Sequence, residues 1–166
     1  MYNSEKAHYI AVTGIILKDG KYLIAKRAEW EPDFPGKWTV PGGKVSMTDY
    51  SHRKPDTEGG KQWYNVLEEA LRREVREEVG LEIRDIGYVT NLVFIRKDNI
   101  PCMVVSLFGY AVSDDVKLNK DLSEYKWVSV EEAKKYDMIE GIAEEIEMVD
   151  NFLKTGKVPE WKSLRK

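Results

Sequence analysis

Glu74, Glu77 and Glu78 stand in the run Arg73-Glu74-Val75-Arg76-Glu77-Glu78-Val79-Gly80-Leu81, where helical spacing would gather their carboxylates at the end of a helix. That end already carries the negative pole of the helix, and like charges four residues apart repel, so each local contribution opposes the arrangement. Something positive must offset it. The candidates are Arg73 and a divalent metal held in carboxylate oxygens; an oxygen set without histidine suits Mg²⁺ or Mn²⁺ better than zinc. Upstream, Pro41-Gly42-Gly43 offers backbone carbonyls and amides that could complete a site for oxygen ligands and phosphate. The plainer alternative is a surface helix whose last turn is rich in glutamate.

The helix that must carry these acids is expected from about Gln62 or Asn65 to Val79, with Gly80 as its stop. At 100° per residue, Leu67, Leu71, Val75 and Val79 form one apolar stripe facing the core. Glu78 falls between Leu67 and Leu71 on that wheel and Glu74 beside Leu67, while Glu77 lies further round near Ala70. Arg72, Arg76 and Glu69 take the solvent side. Two acids therefore sit on or against the buried stripe, where an unpaired charge is expensive.

The rest of the chain must position this helix. Tyr9–Leu17 and Tyr22–Arg27 read as strands joined by the turn Lys18-Asp19-Gly20-Lys21. Residues 28–37 read as a loop, Trp38–Val40 as a short strand, and Pro41-Gly42-Gly43 as a loop. The polar segment Ser46–Lys61 reads as a surface excursion with a helical turn; a tolerated insertion without chemistry is its simplest interpretation. Strands are expected over Ile86–Ile95, Pro101–Val112 and Tyr125–Val128. Ser129 and Glu132 form a capping box for a helix over Val130–Lys135, and a last helix over Ile139–Leu153 has Ile142, Ile146, Val149 and Leu153 at helical spacing. This order gives an α+β fold in which helices cover a mixed sheet as a sandwich.

The 166 residues, 42% hydrophobic and 33% charged, suit one domain with a full core. A net charge of −3 gives no electrostatic reason to expect a nucleic-acid duplex or an anionic membrane as partner. Cys102, the one cysteine, reads as a small buried hydrophobe. Met1–His8 lacks the apolar stretch of a signal peptide and no segment is long and apolar enough to span a bilayer, so a cytoplasmic location is expected.

Gly42-Gly43-Lys44-Val45, taken with Arg73 through Leu81, closely resembles the signature of the Nudix hydrolases. That signature runs Gly, five residues, Glu, seven residues, then Arg-Glu-hydrophobic-any-Glu-Glu-any-Gly-hydrophobic. Its second half matches at every defined position, and Gly14, Lys26-Arg27-Ala28, Trp38 and Glu124-Tyr125-Lys126-Trp127 also look like family features. The first half departs. Counting back from Arg73, the first glutamate's place holds Asn65, and 21 residues, 44–64, separate it from Gly43, sixteen more than the signature has. In the family that glutamate supports the loop and the surroundings of the metal; Asp49, Asp56 and Glu58 are candidates to replace it.

The resemblance implies a Nudix-type α/β/α sandwich over about residues 9–153, interrupted at 46–64, and Mg²⁺-dependent hydrolysis of a phosphoanhydride in a nucleoside triphosphate or another nucleoside diphosphate derivative. Glu74, Glu77, Glu78 and the Gly42 carbonyl would hold the metal, with Arg73 pairing with the acids. Glu77 is the first choice for the base and Glu124 the second, followed by Asp115 and Asp121. Lys26, Arg27, Gly43 and Lys44 are the expected phosphate contacts; Trp30 and Phe34 offer flat apolar surface to the substrate. Tyr50, Trp63 and Tyr64 could close over a ligand. ADP-ribose and nucleotide sugars are the runner-up substrates. A nucleotide-binding domain without activity and an interaction protein with a charged helix remain as alternatives, and a homodimer is left open.

Overall fold

The computed structural model describes residues 6–157 and 160–162. Met1–Glu5, most of the polar N-terminal stretch considered above, lie outside the described residues. Strand β1 (Tyr9–Lys18) turns into β2 (Lys21–Arg27) through Asp19 and Gly20, both at positive φ (49° and 75°). A paired positive φ matches the twist of a two-residue hairpin turn, and Asp-Gly is the dipeptide that reaches it at least strain. β3 (Trp38–Thr39) and β4 (Gly42–Lys44) follow, then α1 (Val66–Val79), β5 (Ile83–Ile95), β6 (Pro101–Ala111) and β7 (Leu122–Val128), and finally α2 (Val130–Ala133) and α3 (Ile142–Thr155).

The strands form one mixed sheet in the order β3-β2-β1-β6-β5, with β7 on β2 and β4 on β1. β1 and β6 run parallel and the other pairs antiparallel. Val12, Ile16 and Leu23 point to one face, where they meet Leu71, Val75 and Val79 of α1. Ile15, Leu17 and Ile24 point to the other and meet Ile142, Ile146 and Val149 of α3. Period-two alternation along β1 thus feeds both cores of an α/β/α sandwich.

Several boundaries differ from the sequence expectation. The predicted Pro41-Gly42-Gly43 loop is partly a strand, because Gly42 and Gly43 align with Thr13 and Val12 of β1. β5 and β7 begin three residues earlier than expected, at Ile83 and Leu122, and α3 starts at Ile142, after Gly141 at φ 96°. Leu153 is exposed although it is in phase with the buried stripe of α3; its neighbour Phe152 packs on the core and meets Phe108. Arg72 is not free in solvent: its guanidinium donates to the carbonyl of Ile83. The capping box of Ser129 and Glu132 forms as expected. Among the described residues no helix is long and apolar enough to cross a membrane.

α3 also carries a buried acid, Glu145, and one of its oxygens has no hydrogen-bond partner among the described residues. Burial pushes its carboxyl up to about 7, with Ser106 opposing the shift.

Leu71 seats α1 on the sheet at Gly14, where a Cβ would come within 2.7 Å of a Leu71 methyl carbon. Leu71→Ala is therefore expected to lower stability by roughly 2–5 kcal/mol. Urea unfolding should show a lower midpoint at unchanged slope.

Candidate active site

The burial of Glu74 and Glu78 follows the helical wheel. Glu74 and Glu78 are half-buried beside the core stripe, whereas Glu77 is exposed. Gly80, at φ 69°, ends the helix and donates its N–H to the Arg76 carbonyl. The helix end is held from outside as well: Asn119 N–H donates to the Glu78 carbonyl and Lys117 N–H to that of Val79, both at 2.9 Å. These bonds bring the 114–121 loop alongside the acids.

β4 passes directly over them. The Gly42 N–H donates to Glu78 Oε2 at 2.9 Å. At Gly43 a Cβ would lie 2.2 Å from Glu74 Oε1, so only a residue without a side chain fits between strand and carboxylate. The glycines are needed for close approach here. Burial pushes the Glu78 carboxyl up to about 7; Glu74 and Asp121 add to the rise, and the Gly42 N–H and Arg27 oppose it. Burial also raises Glu74, against the opposing charge of Arg73.

Arg73 joins the acids to the loop. Its Nη1 reaches Glu74 Oε1 at 2.8 Å and Glu77 Oε2 at 3.0 Å, and its Nη2 donates to the Lys44 carbonyl at 3.2 Å. The other side of the guanidinium grips Asp49, Nε bonding Oδ1 and Nη2 lying 3.3 Å from Oδ2. Asp49 ends the helical turn Met47–Asp49, which Ser46 caps, and its Oδ2 accepts the Ser46 N–H at 2.7 Å. Burial alone would raise its carboxyl, but the bonds from Arg73 and Ser46 outweigh it and hold the group below the usual carboxylate range.

Asp49 is thus the acid that meets Arg73, and Asn65 is not. Asn65 precedes α1 at φ 56° and its side chain makes no capping bond. The signal in the sequence was the forward count: five residues, 44–48, separate Gly43 from Asp49, as in the family signature. The surplus residues consequently fall at 50–65, after this acid. Of the other two candidates, Asp56 pairs with Arg53 inside that surplus segment, and Glu58 makes no described contact with Arg73.

The remaining sequence candidates separate in space. Arg27 pairs with Glu31 and donates to the Asp33 carbonyl. Lys26 lies 3.5 Å from Glu124, across the β2–β7 pair. Asp115 pairs with Lys117. Asp121 stands in the electrostatic field of Glu78, as Arg27 does. The Lys44 ammonium lies over the Tyr9 ring, and Trp30 and Phe34 are 69% and 53% exposed.

Among the described residues no three carboxylates converge on a single point, because Arg73 occupies the faces of Glu74 and Glu77. The donors still fit a hard cation. Glu74 and Glu78 present carboxylate oxygens burdened by burial, and a cation would relieve both.

Residues 8–149 match the NUDIX domain model. The chain belongs to the Nudix family. Its Nudix relatives include the nucleoside triphosphatase NudI of Escherichia coli O81, 31% identical over 138 residues, covering 76% of this chain and 86% of that protein. NudI of Klebsiella pneumoniae is 29% identical over 137 residues, with the same coverage. Among solved structures, the MutT protein of Methanosarcina mazei is 30% identical and superposes with a TM-score of 0.63 over 91% of this chain and 99% of that one. The NUDIX domain of Shewanella oneidensis NrtR, solved with ADP ribose, shares the fold at a TM-score of 0.68 and 17% identity, over 92% of this chain and 94% of that one. The protein is a Nudix hydrolase.

Two expectations follow from the site. A double-mutant cycle with Asp49→Ala and Arg73→Ala should give a coupling of roughly 0.5–3 kcal/mol in chemical unfolding, because the two groups meet directly. The raised carboxyls of Glu78 and Glu145 contribute stability that is complete below their ordinary value of 4.5 and is lost as pH rises through about 7. The thermal midpoint without divalent metal should therefore fall between about pH 5 and about pH 7.5, and Glu78→Gln should flatten that slope. Asp49 acts with the opposite sign: its contribution is present above 3.8 and disappears in acid as it becomes protonated.

Proposed function

We propose that this Nudix hydrolase cleaves a phosphoanhydride bond of nucleoside triphosphates in a Mg²⁺-dependent reaction. The observation that carries the reading is the pair of half-buried carboxylates, Glu74 and Glu78, pressed against the backbone of Gly42 and Gly43 with pKa values raised by burial. Such a pair is costly unless a cation joins it. The relatives named nucleoside triphosphatase support the substrate class.

Glu74, Glu78 and the Gly42 carbonyl would hold the metal, with Glu77 at the solvent edge. A bound Mg²⁺ would supply charge neutralisation on the phosphate oxygens and on the leaving group. Arg73 keeps Glu74 and Glu77 apart and fixes both to the β4 loop through the Lys44 carbonyl. Asp49 in turn sets the plane of that guanidinium, a bidentate contact that a lysine could not make. Glu77, exposed and hydrogen-bonded on one oxygen, accepts the proton of the attacking water, whose oxygen bonds to phosphorus as the anhydride oxygen departs. Arg27 adds positive potential on the Glu78 side, where the phosphate chain would enter.

The test is phosphate and pyrophosphate release from a panel of nucleoside triphosphates, with ADP-ribose as a further member, in Mg²⁺ and in chelator. Turnover with Mg²⁺ that falls at least about 100-fold in Glu78→Gln is the expected result. Undiminished turnover in that variant would remove Glu78 as a ligand. Nucleotide binding without turnover on any member would leave a binding domain in place of an enzyme.

A further inference from the structure

The surplus segment at 50–65 is organised by its own contacts. The Arg53 guanidinium bonds both oxygens of Asp56, at 3.1 and 3.0 Å, and donates to the Tyr64 carbonyl at 2.8 Å. Asp56 accepts the Tyr64 N–H at 2.8 Å, and its own N–H donates to the Gln62 carbonyl at 2.9 Å. The Trp63 indole N–H donates to the Arg53 carbonyl at 3.0 Å. Its ring meets Tyr50 with centroids 5.3 Å apart and planes at 52°. A loop of random surface sequence has no reason to close on an aromatic pair, since ordering it costs conformational entropy.

These bonds leave a cavity of about 500 Å³ lined by Tyr50, Lys61, Gln62, Trp63, Tyr64 and Val66. Its size is within the range of small-molecule sites. Trp63 has already committed its N–H to the backbone, so its ring offers only π surface. Tyr64 is 61% exposed. Among the described residues, the side chains of Lys61, Gln62 and Tyr64 have no hydrogen-bond or ion-pair partner. The lining therefore joins flat aromatic area to a free amide and a free ammonium, which matches a planar heterocycle with a donor and acceptor edge and an attached phosphate.

The cavity lies at the N-terminal end of α1, the helix that carries the acids. Tyr50 follows Asp49, the residue that grips Arg73. Val66 is the first residue of α1 and Glu74 lies eight positions on, about 12 Å along the axis. The rings predicted for this task, Trp30 and Phe34, are exposed and have no aromatic contact among the described residues.

We propose that the 50–65 segment holds the nucleobase of the substrate, stacked on Trp63 and Tyr64 and contacted by Gln62, with Lys61 turned to the phosphate chain. This rests on the nucleoside triphosphate reading above and adds to it the residues that select the base. The insertion is then a specificity element and not a passive lengthening of the loop.

The probes are nucleosides without phosphate, inorganic tripolyphosphate and the nucleoside triphosphates, all with the full-length chain. Nucleosides should quench tryptophan fluorescence, and Trp63→Phe should remove that response while the other four of the five tryptophans remain. Tyr64→Ala and Gln62→Ala, both at exposed side chains, should each raise the KM for nucleoside triphosphates, Tyr64→Ala by about tenfold, and leave inhibition by tripolyphosphate unchanged. Quenching that persists in Trp63→Phe overturns the proposal. So does an unchanged KM in both surface variants, or an equal weakening of tripolyphosphate. Quenching that depends on Trp63 in a protein that turns over no nucleotide would uphold the base pocket and sink the proposed activity; turnover indifferent to all three variants would do the reverse.

Discussion

The guanidinium of Arg73 is the contact on which the site depends. It touches Glu74 and Glu77 on its own helix, Asp49 in the turn before the surplus segment, and the carbonyl of Lys44 in β4. β4, the turn that ends at Asp49, and α1 are fixed by one planar cation. Without it Glu74 and Glu77 would face each other and the negative helix end without the cation that pairs with both. The planar fork of arginine can satisfy several acceptors in set directions, which a compact ammonium cannot.

That clamp makes this chain's long interruption of the family signature tolerable. The extra residues leave the chain after Asp49 and rejoin it at α1, so the spacing from Gly43 to the acid that meets Arg73 is preserved. A loop placed there changes neither the β4 approach to Glu74 and Glu78 nor the grip on Arg73. Loop length adds little to the free energy of closure, and the segment uses its added length to set the Trp63 ring against Tyr50. The half-buried carboxylates keep their place under β4 whatever the length of the insertion.

Arg73 alone does not balance the site electrostatically. It reaches Glu74 and Glu77 but makes no bond to Glu78, which relies on one backbone N–H and on the more distant charge of Arg27. Burial therefore wins at Glu78 and raises its pKa, whereas at Asp49 the direct bonds win over burial. The two acids thus differ in whether hydrogen bonds offset the cost of burying their charge.

Local patterns in the chain were enough to determine α1, its apolar stripe and the place of Glu74 and Glu78 against it, because a helical wheel needs only spacing. The Asp-Gly hairpin and the capping box of α2 were equally legible, each being a contact between near neighbours. The tertiary structure alone decided that Asp49 is the partner of Arg73, since counting back from the helix and counting forward from Gly43 give different residues and only packing selects between them. It also decided that Gly42 and Gly43 form a strand over the acids, that Glu124 is engaged with Lys26 while Asp121 stands in the field of Glu78, and that Leu153 yields its place to Phe152. Each of these depends on which surfaces meet across the sheet, and periodicity along one segment carries no record of its distant neighbours.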